Sequence, residues 1–471
     1  MKFKLLYVLI SVLAFSSCQN GQNQKPNILV ILVDDMGYNG ISCFGNKPWE
    51  TLNIDRLASE GMKFTSAYAS PLCSPTRASI LTGKNAVRVD ITNWIPGGVE
   101  LYANPKLIEK PFTQLLPLKE FTVAEAFKEN DYATAHVGKW HLGEGPISLP
   151  DKHGFDYSYL VTWSNLPTYF VENENNQFTG LYKNDAPELQ FLTDHLADKA
   201  IFWLDDHKDA PFFMLFATQV VHHPIAAKDE VKQKYIDKGL PDKGRDAADY
   251  AAMHKHMDIA VGRLLDYLDD NNLAENTIVL FLSDNGGREP ETINTPFRGG
   301  KGEILEGGIR VPLLVRWPKN IAANSKSEVP VITHDLYPTL LDLAGCNLIP
   351  EQHIDGVSFA PVLTGIQKTV DERSLYWHYP HYTSMKFGQP SSAIRKGDWK
   401  LIEFLEDNRL ELYNLKKDPS ESNNLLEEKP NIANELKKLL DDWRTNVDAK
   451  MPVRNPDYDS TKYSGWPKSG N

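Results

Sequence analysis

The stretch NILVILVDDMGYNG (residues 27–40) decides the fold. Its first seven residues are a short, unbroken apolar run, which reads as a strand buried on both faces. Two acids, Asp34 and Asp35, follow at once. The same grammar recurs along the chain. TAHV (134–137) is followed by Gly138, Lys139, Trp140 and His141. FFMLFAT (212–218) is followed by His222 and His223. TIVLFLS (277–283) is followed by Asp284, Asn285 and two glycines, and VPLLVRW (311–317) is a fifth such run. Helical patterns lie between them. Thr122 and Glu125 in FTVAEAFKEN form a capping box. Met253, Met257, Ala260, Val261, Leu264, Leu265 and Leu268 recur at helical spacing, and DLYPTLLDLAG (335–345) ends on Gly345, a helix stop. Strands alternating with helices imply an α/β fold: a large, mostly parallel or mixed central sheet with helices on both faces.

The tail follows another pattern. SSAIRKGDWKLIEFLEDNRLELYNL (391–415) reads as three short strands joined by KGD and EDNR turns, with a helix over 429–445. We therefore expect a main domain over 26–369 and a small C-terminal α+β domain over 370–471, carrying a short antiparallel sheet.

The chain has 471 residues, with 50 Lys+Arg against 62 Asp+Glu, a formal net charge of −12. That balance argues against a nucleic-acid partner and against wrapping a long polyanion. Residues 1–17 read as a signal peptide: Lys2 and Lys4 precede an apolar core, Leu5–Phe15, too short to span a membrane. Cys18 and the polar linker 18–25 resemble a bacterial lipoprotein signal, with ordinary secretory cleavage as the alternative. The expected location is exported, either periplasmic or anchored to the outer membrane, with membrane contact only through a lipid on Cys18. Loss of two lysines makes the mature charge −12 − 2 = −14. Cys43 and Cys346 read as core residues, since nothing in their spacing demands a pair.

In PLCSPTRASILTG (71–83), Ser74 is a helix-cap candidate, Pro75 suits a first turn and Gly83 can end the helix. Cys73 then sits where backbone N–H groups attract anions, so its thiol is expected to be acidic; a buried structural cysteine is the competing reading. Open α/β sheets bind ligands at the carboxyl ends of their strands. Asp34, Asp35, Asp284 and Asn285 make a hard oxygen set suited to Ca²⁺ or Mg²⁺, and an exported protein favours Ca²⁺; no Cys or His pair has zinc spacing. Arg77, Lys139, His141, His222 and Lys301 add positive charge or protons. A divalent cation ringed by basic groups suits a tetrahedral oxyanion, and hence sulfuryl or phosphoryl transfer.

CSPTRASILTG closely resembles the signature of type I sulfatases, the formylglycine-dependent enzymes of the alkaline phosphatase superfamily, with Thr76 where the family has Ser or Ala. VDDMGYNG, TLNIDRLASEG, GKWHLG, HGFD, SDNGG, RGGKGEILEGGIRVP, HDLYPTLLDLAG, RKGDWKLI and ELYNLKKDPSESNNL are also family-like, so the resemblance covers about residues 26–445. It implies that a maturation enzyme oxidises Cys73 to formylglycine, whose hydrate is the nucleophile. It implies one Ca²⁺ on Asp34, Asp35, residue 73, Asp284 and Asn285. Lys139 and Lys301 would bind sulfate, Arg77 and His141 would contact the diol, and His222 or Lys301 would serve the leaving oxygen. The export signal and the family resemblance point to a sulfated mono- or oligosaccharide substrate, and the mature charge of −14 suggests a compact pocket taking chain ends or short oligosaccharides. A phosphatase, phosphodiesterase or phosphonate hydrolase of the same superfamily is one alternative. A non-catalytic lipoprotein binding sulfated glycans is another. In LYWHYPHY (375–382), Tyr376 and Trp377 read as packing for the second domain, while His378 and His381 are substrate-contact candidates. Arg88, Asp90, Asn93 and Trp94 are candidates to line the pocket.

Overall fold

The structure, a computed structural model, describes residues 25–45, 48–97, 103–161, 190–383 and 388–462. The leader 1–17, Cys18 and most of the linker lie outside the described residues. The strands are β1 (Asn27–Val33), β2 (Met62–Tyr68), β3 (Leu107–Ile108), β4 (Ala133–Lys139), β5 (Tyr157–Val161), β6 (Phe212–Ala217), β7 (Thr277–Ser283), β8 (Arg310–Arg316), β9 (Ser325–Ser327), β10 (Val331–Ile332), β11 (Ser374–Tyr379), β12 (Ser391–Lys396), β13 (Trp399–Phe404), β14 (Arg409–Asn414) and β15 (Val453–Arg454). The helices are α1 (Leu52–Ser59), α2 (Cys73–Thr82), α3 (Val123–Lys128), α4 (Leu192–His207), α5 (Asp229–Asp237), α6 (Ala248–Asp270), α7 (Glu306–Ile309), α8 (Leu336–Leu343), α9 (Ala360–Leu363) and α10 (Pro430–Asn446).

The large sheet is nine-stranded and mixed, in the order β10-β2-β8-β7-β1-β6-β4-β5, with β9 also paired to β2. β1 lies at its centre, parallel to β7 and β6. β4 is parallel to β6 and β5, whereas β8 runs antiparallel to β7 and β2. Every residue of β1, β6 and β7 is buried, as unbroken apolar runs require. Leu29, Ile31 and Val33 pack with α1, α4 and α6 on one face. Ile28, Val30 and Leu32 pack with α2, α3 and α8 on the other. The capping box forms as read: the Glu125 N–H donates to Thr122 Oγ1 at 3.1 Å, and the Thr122 N–H to Glu125 Oε2 at 2.7 Å. Cys43 and Cys346 depart from the core expectation. Both are half-buried free cysteines, packed against cores on opposite faces of the sheet.

The second sheet has four antiparallel strands, β11-β12-β13-β14, one more than the sequence suggested. The extra strand is β11, part of LYWHYPHY, whose buried Leu375, Trp377 and Tyr379 alternate along it. Its outer face is covered by α10, through Ile394, Leu401 and Leu412 against Leu436, Leu440 and Trp443. Tyr376 does pack this unit, stacking on Trp443 at 4.7 Å. Its inner face, including Trp377, Ile402 and Tyr413, presses on Tyr68, Leu72, Ile304, Leu305 and Ile309 of the large domain. A fully buried ion cluster crosses this seam. Lys400 Nζ lies 3.0 Å from Glu306 Oε1 and 2.8 Å from Glu421 Oε1. Tyr68 donates its hydroxyl to Glu306 Oε2 at 2.8 Å, and the Glu306 N–H donates to Glu421 Oε2 at 2.8 Å.

Candidate active site

Four strand ends meet at one edge of the large sheet. Asp34 and Asp35 follow β1, Lys139 ends β4, His222 lies beyond β6, and Asp284 and Asn285 follow β7. α2 adds Cys73 and Arg77, and the loop before α7 adds Lys301. Gly138 makes this convergence possible. Its φ is +114°, and a Cβ there would lie 2.0 Å from the Ala217 carbonyl oxygen.

α2 starts at Cys73 with Leu72 as its cap residue, and Gly83 closes it in the left-handed region as read. Ser74 therefore does not cap the helix. Its hydroxyl donates to the His141 carbonyl at 2.8 Å and accepts the Ile95 N–H at 3.1 Å. His141 Nε2 lies 2.6 Å from the Ile95 carbonyl, an acceptor only, so that nitrogen carries the proton. Nδ1 then faces Cys73 Sγ at 3.1 Å as an acceptor. The expectation of an acidic thiol fails: burial pushes the Cys73 pKa up, against the pull of Lys139 and Lys301.

The charges interlock. Lys139 Nζ is 2.5 Å from Asp34 Oδ2, and Lys301 Nζ is 2.7 Å from Asp35 Oδ2. Arg77 donates to Asp284 Oδ2 from Nη2 at 2.7 Å and to the Lys139 carbonyl from Nη1 at 2.6 Å. Asn285 Nδ2 donates to Asp35 Oδ1 at 2.9 Å, and the Asp35 N–H to Asp284 Oδ1 at 3.1 Å. His222 Nδ1 donates to the His223 carbonyl at 2.5 Å, and its Nε2 lies 3.6 Å from Asp35 Oδ2. Burial and then the Lys301 ammonium hold the His222 pKa down at about 3, so this ring is neutral. Burial opposes ionisation of Asp34, yet the charges of Lys139, Arg77 and Lys301 keep its carboxyl far below the usual range.

The residues fit a hard divalent cation. Donor atoms of Asp34, Cys73 and Asp284 all lie within 4.8 Å of one another. Asp34 Oδ1 and Asn285 Oδ1 are buried with no hydrogen-bond partner among the described residues. Buried acceptors left bare in this way are costly unless a cation meets them.

The six substrate and pocket candidates fare differently. His378 is buried in β11, with Nδ1 against Ser392 Oγ at 2.7 Å and Nε2 against the Lys450 carbonyl at 3.2 Å. His381 is fully buried, with Nδ1 against Glu109 Oε2 at 2.5 Å and Nε2 against Thr92 Oγ1 at 2.8 Å. Both rings are committed inside the fold, which corrects their assignment as substrate contacts. Arg88 is likewise engaged, its Nε 2.9 Å from both Asp355 carboxylate oxygens and its Nη2 3.1 Å from Asn446 Oδ1. Trp94 stays near the site: half-buried, it precedes the Ile95 carbonyl that orients His141. Asp90 takes the Lys450 ammonium and the Thr113 hydroxyl, and Asn93 accepts from Tyr379. Ser74 and Ile95 are the site residues that the sequence reading missed. A hydroxyl beside Cys73 was a signal for the first; a backbone carbonyl leaves none.

The sulfatase family model matches residues 26–346. The chain belongs to the sulfatase family. It is thus a sulfuric ester hydrolase. A model for the N-sulphoglucosamine sulphohydrolase C-terminal region matches residues 300–446, spanning the seam and the second sheet. The chain is 34% identical to a sulfatase of Formosa agariphila over 91% of its length and 90% of that protein. It is 30% identical to an N-acetylgalactosamine-6-O-sulfatase of Bacteroides thetaiotaomicron, over 94% of this chain and 99% of that one. Among solved structures, that of Ps i-CgsB in complex with k-i-k-neocarrahexaose superposes with a TM-score of 0.76 at 29% identity, covering 93% of this sulfatase and 96% of the other. The arylsulfatase-like resemblance and the alkaline-phosphatase-like α/β fold are both borne out.

Proposed function

We propose that this sulfatase removes sulfate from a sulfated carbohydrate, with Cys73 matured to formylglycine by a dedicated enzyme and one Ca²⁺ held by Asp34, Asp35, Asp284 and Asn285. The observation that carries this reading is the placement of Cys73: at the start of α2, within 4.8 Å of two carboxylates and 3.1 Å from an acceptor nitrogen of His141. A buried thiol with a raised pKa is a poor nucleophile there, and a hydrated aldehyde is a good one. The hydrate supplies an attacking oxygen and a second hydroxyl that can expel sulfate, and a bound divalent cation offsets charge on the sulfuryl oxygens.

The chain's own groups do the rest. His141, its tautomer fixed by the Ile95 carbonyl, is aimed to take a proton from the side chain at position 73. Lys139 and Lys301 reach the site from opposite carboxylates and give two cations to the sulfate oxygens. Arg77 holds Asp284 and the end of β4 in register. Lys301 or His222 serves the leaving oxygen; the neutral His222 ring holds its one proton on Nδ1 against the His223 carbonyl, with Nε2 3.6 Å from Asp35, so it acts as an acid only after Nε2 takes up a proton. A glycan substrate is supported by the names of the relatives and by the fold shared with a carrahexaose complex. We also infer export by the leader and anchoring through a lipid on Cys18.

The test is a matched turnover assay on protein matured in a host that makes formylglycine, with p-nitrophenyl sulfate, p-nitrophenyl phosphate and a panel of sulfated saccharides. Sulfate release from a saccharide, with little phosphate release, is expected, together with its loss in a folded Cys73→Ala variant. Turnover of the phosphate ester alone would assign the site to phosphatase chemistry. Activity surviving in Cys73→Ala would remove the nucleophile.

A further inference from the structure

The loop that carries Lys301 is held by the second sheet. Lys301 lies in RGGKGEILEGG (298–308), three residues after Arg298. Gly299 and Gly300 separate the two, so no side chain between them can fix the turn. Arg298 instead reaches into the C-terminal unit. Its Nη1 donates to Glu411 Oε2 at 3.1 Å, to the Tyr413 hydroxyl at 3.0 Å and to the Glu421 carbonyl at 3.2 Å. Tyr413 in turn donates to Glu411 Oε2 at 2.7 Å, so acceptor and phenol are locked together. The far end of the loop is gripped by the same unit, where the Glu306 N–H meets Glu421 Oε2.

The loop's inner side is fastened to the catalytic edge. The Lys301 N–H donates to the Gly287 carbonyl at 3.1 Å, two residues after Asn285. The Gly302 N–H donates to the Pro71 carbonyl at 2.7 Å, two residues before Cys73. Arg298 is thus a tie between β14 with its following loop and a strap whose centre delivers an ammonium to Asp35.

We propose that Arg298 is a positioning residue for Lys301: by docking the strap onto the second sheet, it sets the ammonium where it binds a sulfate oxygen. Arg298 acts through Lys301 and does not touch the substrate. The proposal rests on the reading that Lys301 is a sulfate ligand.

The experiment is a double-variant cycle on the Ca²⁺-loaded enzyme, reading inorganic sulfate affinity by titration calorimetry and turnover of p-nitrophenyl sulfate. Lys301→Ala is expected to weaken sulfate binding by about tenfold or more. Arg298→Met is expected to weaken it by about tenfold with Lys301 present, and by less than about twofold with Lys301→Ala. Equal losses in both backgrounds, or no loss from Arg298→Met while Lys301→Ala is impaired, would overturn the positioning role. A merely structural contribution lowers the melting temperature in both backgrounds and leaves the cycle additive. If Lys301→Ala binds sulfate as well as wild type, the fault lies in the reading of Lys301 itself. Should Arg298→Met fail to fold, Tyr413→Phe, which keeps the packing and removes one of the three acceptors, enters the same cycle. Its smaller loss must also vanish with Lys301→Ala.

Discussion

Replacing Lys400 by Met tests the buried seam in a way that the pH dependence makes quantitative. The side chain bridges Glu306 and Glu421, all fully buried. Without the ammonium, Glu306 keeps Arg310 at 3.3 Å and the Tyr68 hydroxyl. Glu421 keeps the Glu306 N–H on one oxygen. Removing one partner of a buried pair costs about 3–5 kcal/mol when the other stays charged. Glu421 has an escape, because it can bind a proton. Burial first, and the Glu306 charge as well, already push its pKa up in the wild type. Protonating a carboxyl that would ionise at 4.5 when unfolded costs about 1.4 kcal/mol per pH unit above that value. Wild-type Glu421, its pKa pushed up to about 7, already holds that proton at pH 6, so the escape adds nothing to the difference between the two proteins there and about 1.4 kcal/mol at pH 8, one unit above that value. The sign follows from linkage: a carboxyl whose folded pKa is raised contributes stability that is present below 4.5 and lost as pH rises through the folded value. The assay is urea denaturation of Lys400→Met and wild type at pH 6 and pH 8. The expected result is a midpoint difference that widens with pH at unchanged slope. Adding Glu421→Gln, which retains an acceptor for the Glu306 N–H, should flatten the difference. A penalty below about 1 kcal/mol at pH 8, or a larger one at pH 6, would refute the reasoning.

Ca²⁺ at millimolar levels should raise the melting temperature of wild type and restore activity after chelation, with a much smaller shift in Asn285→Ala. Equal shifts in both proteins would remove the metal assignment. Burial holds the His378 pKa down at about 3, so it contributes stability that is present above pH 6.5 and lost as pH falls towards 3. His378→Asn should therefore shed about 1.4 kcal/mol per pH unit of acid sensitivity, with KM unchanged; a raised KM would return this residue to the substrate pocket. Cells fed radiolabelled palmitate should label the wild-type protein and not Cys18→Ser, and an unlabelled soluble wild type would point to simple signal cleavage.

The central strands were legible because burial on both faces leaves an unbroken apolar record, as in β1, β6, β7 and β8. β2 (MKFTSAY) was not singled out: its polar residues break the run, and a partner strand, not its own pattern, gives it a place in the sheet. β9 and β10 are too short to carry a pattern. The strand-end residues that gather at the candidate site were legible because strand ends are local in sequence and face one edge in space. His378 and His381 misled because their neighbours are distant: Lys450 and Glu109 lie 72 and 272 residues away and use up the rings. The same distance hid the partnership of His141 with Ile95, and that of Arg298 with Glu411 and Tyr413.

The polarity of β1 sets an orientation. The strand enters the described fold at Lys25, whose ammonium rests on the Asn130 carbonyl, and ends on the aspartates of the site. Entry point and catalytic edge are therefore opposite poles of the sheet, about 23 Å apart along β1 alone. The seven residues from Cys18 to Lys25 reach at most about 25 Å when extended. The proposed lipid at Cys18 would tether the molecule by the pole away from Asp34 and Asp35, with the catalytic edge on the side far from the anchoring surface.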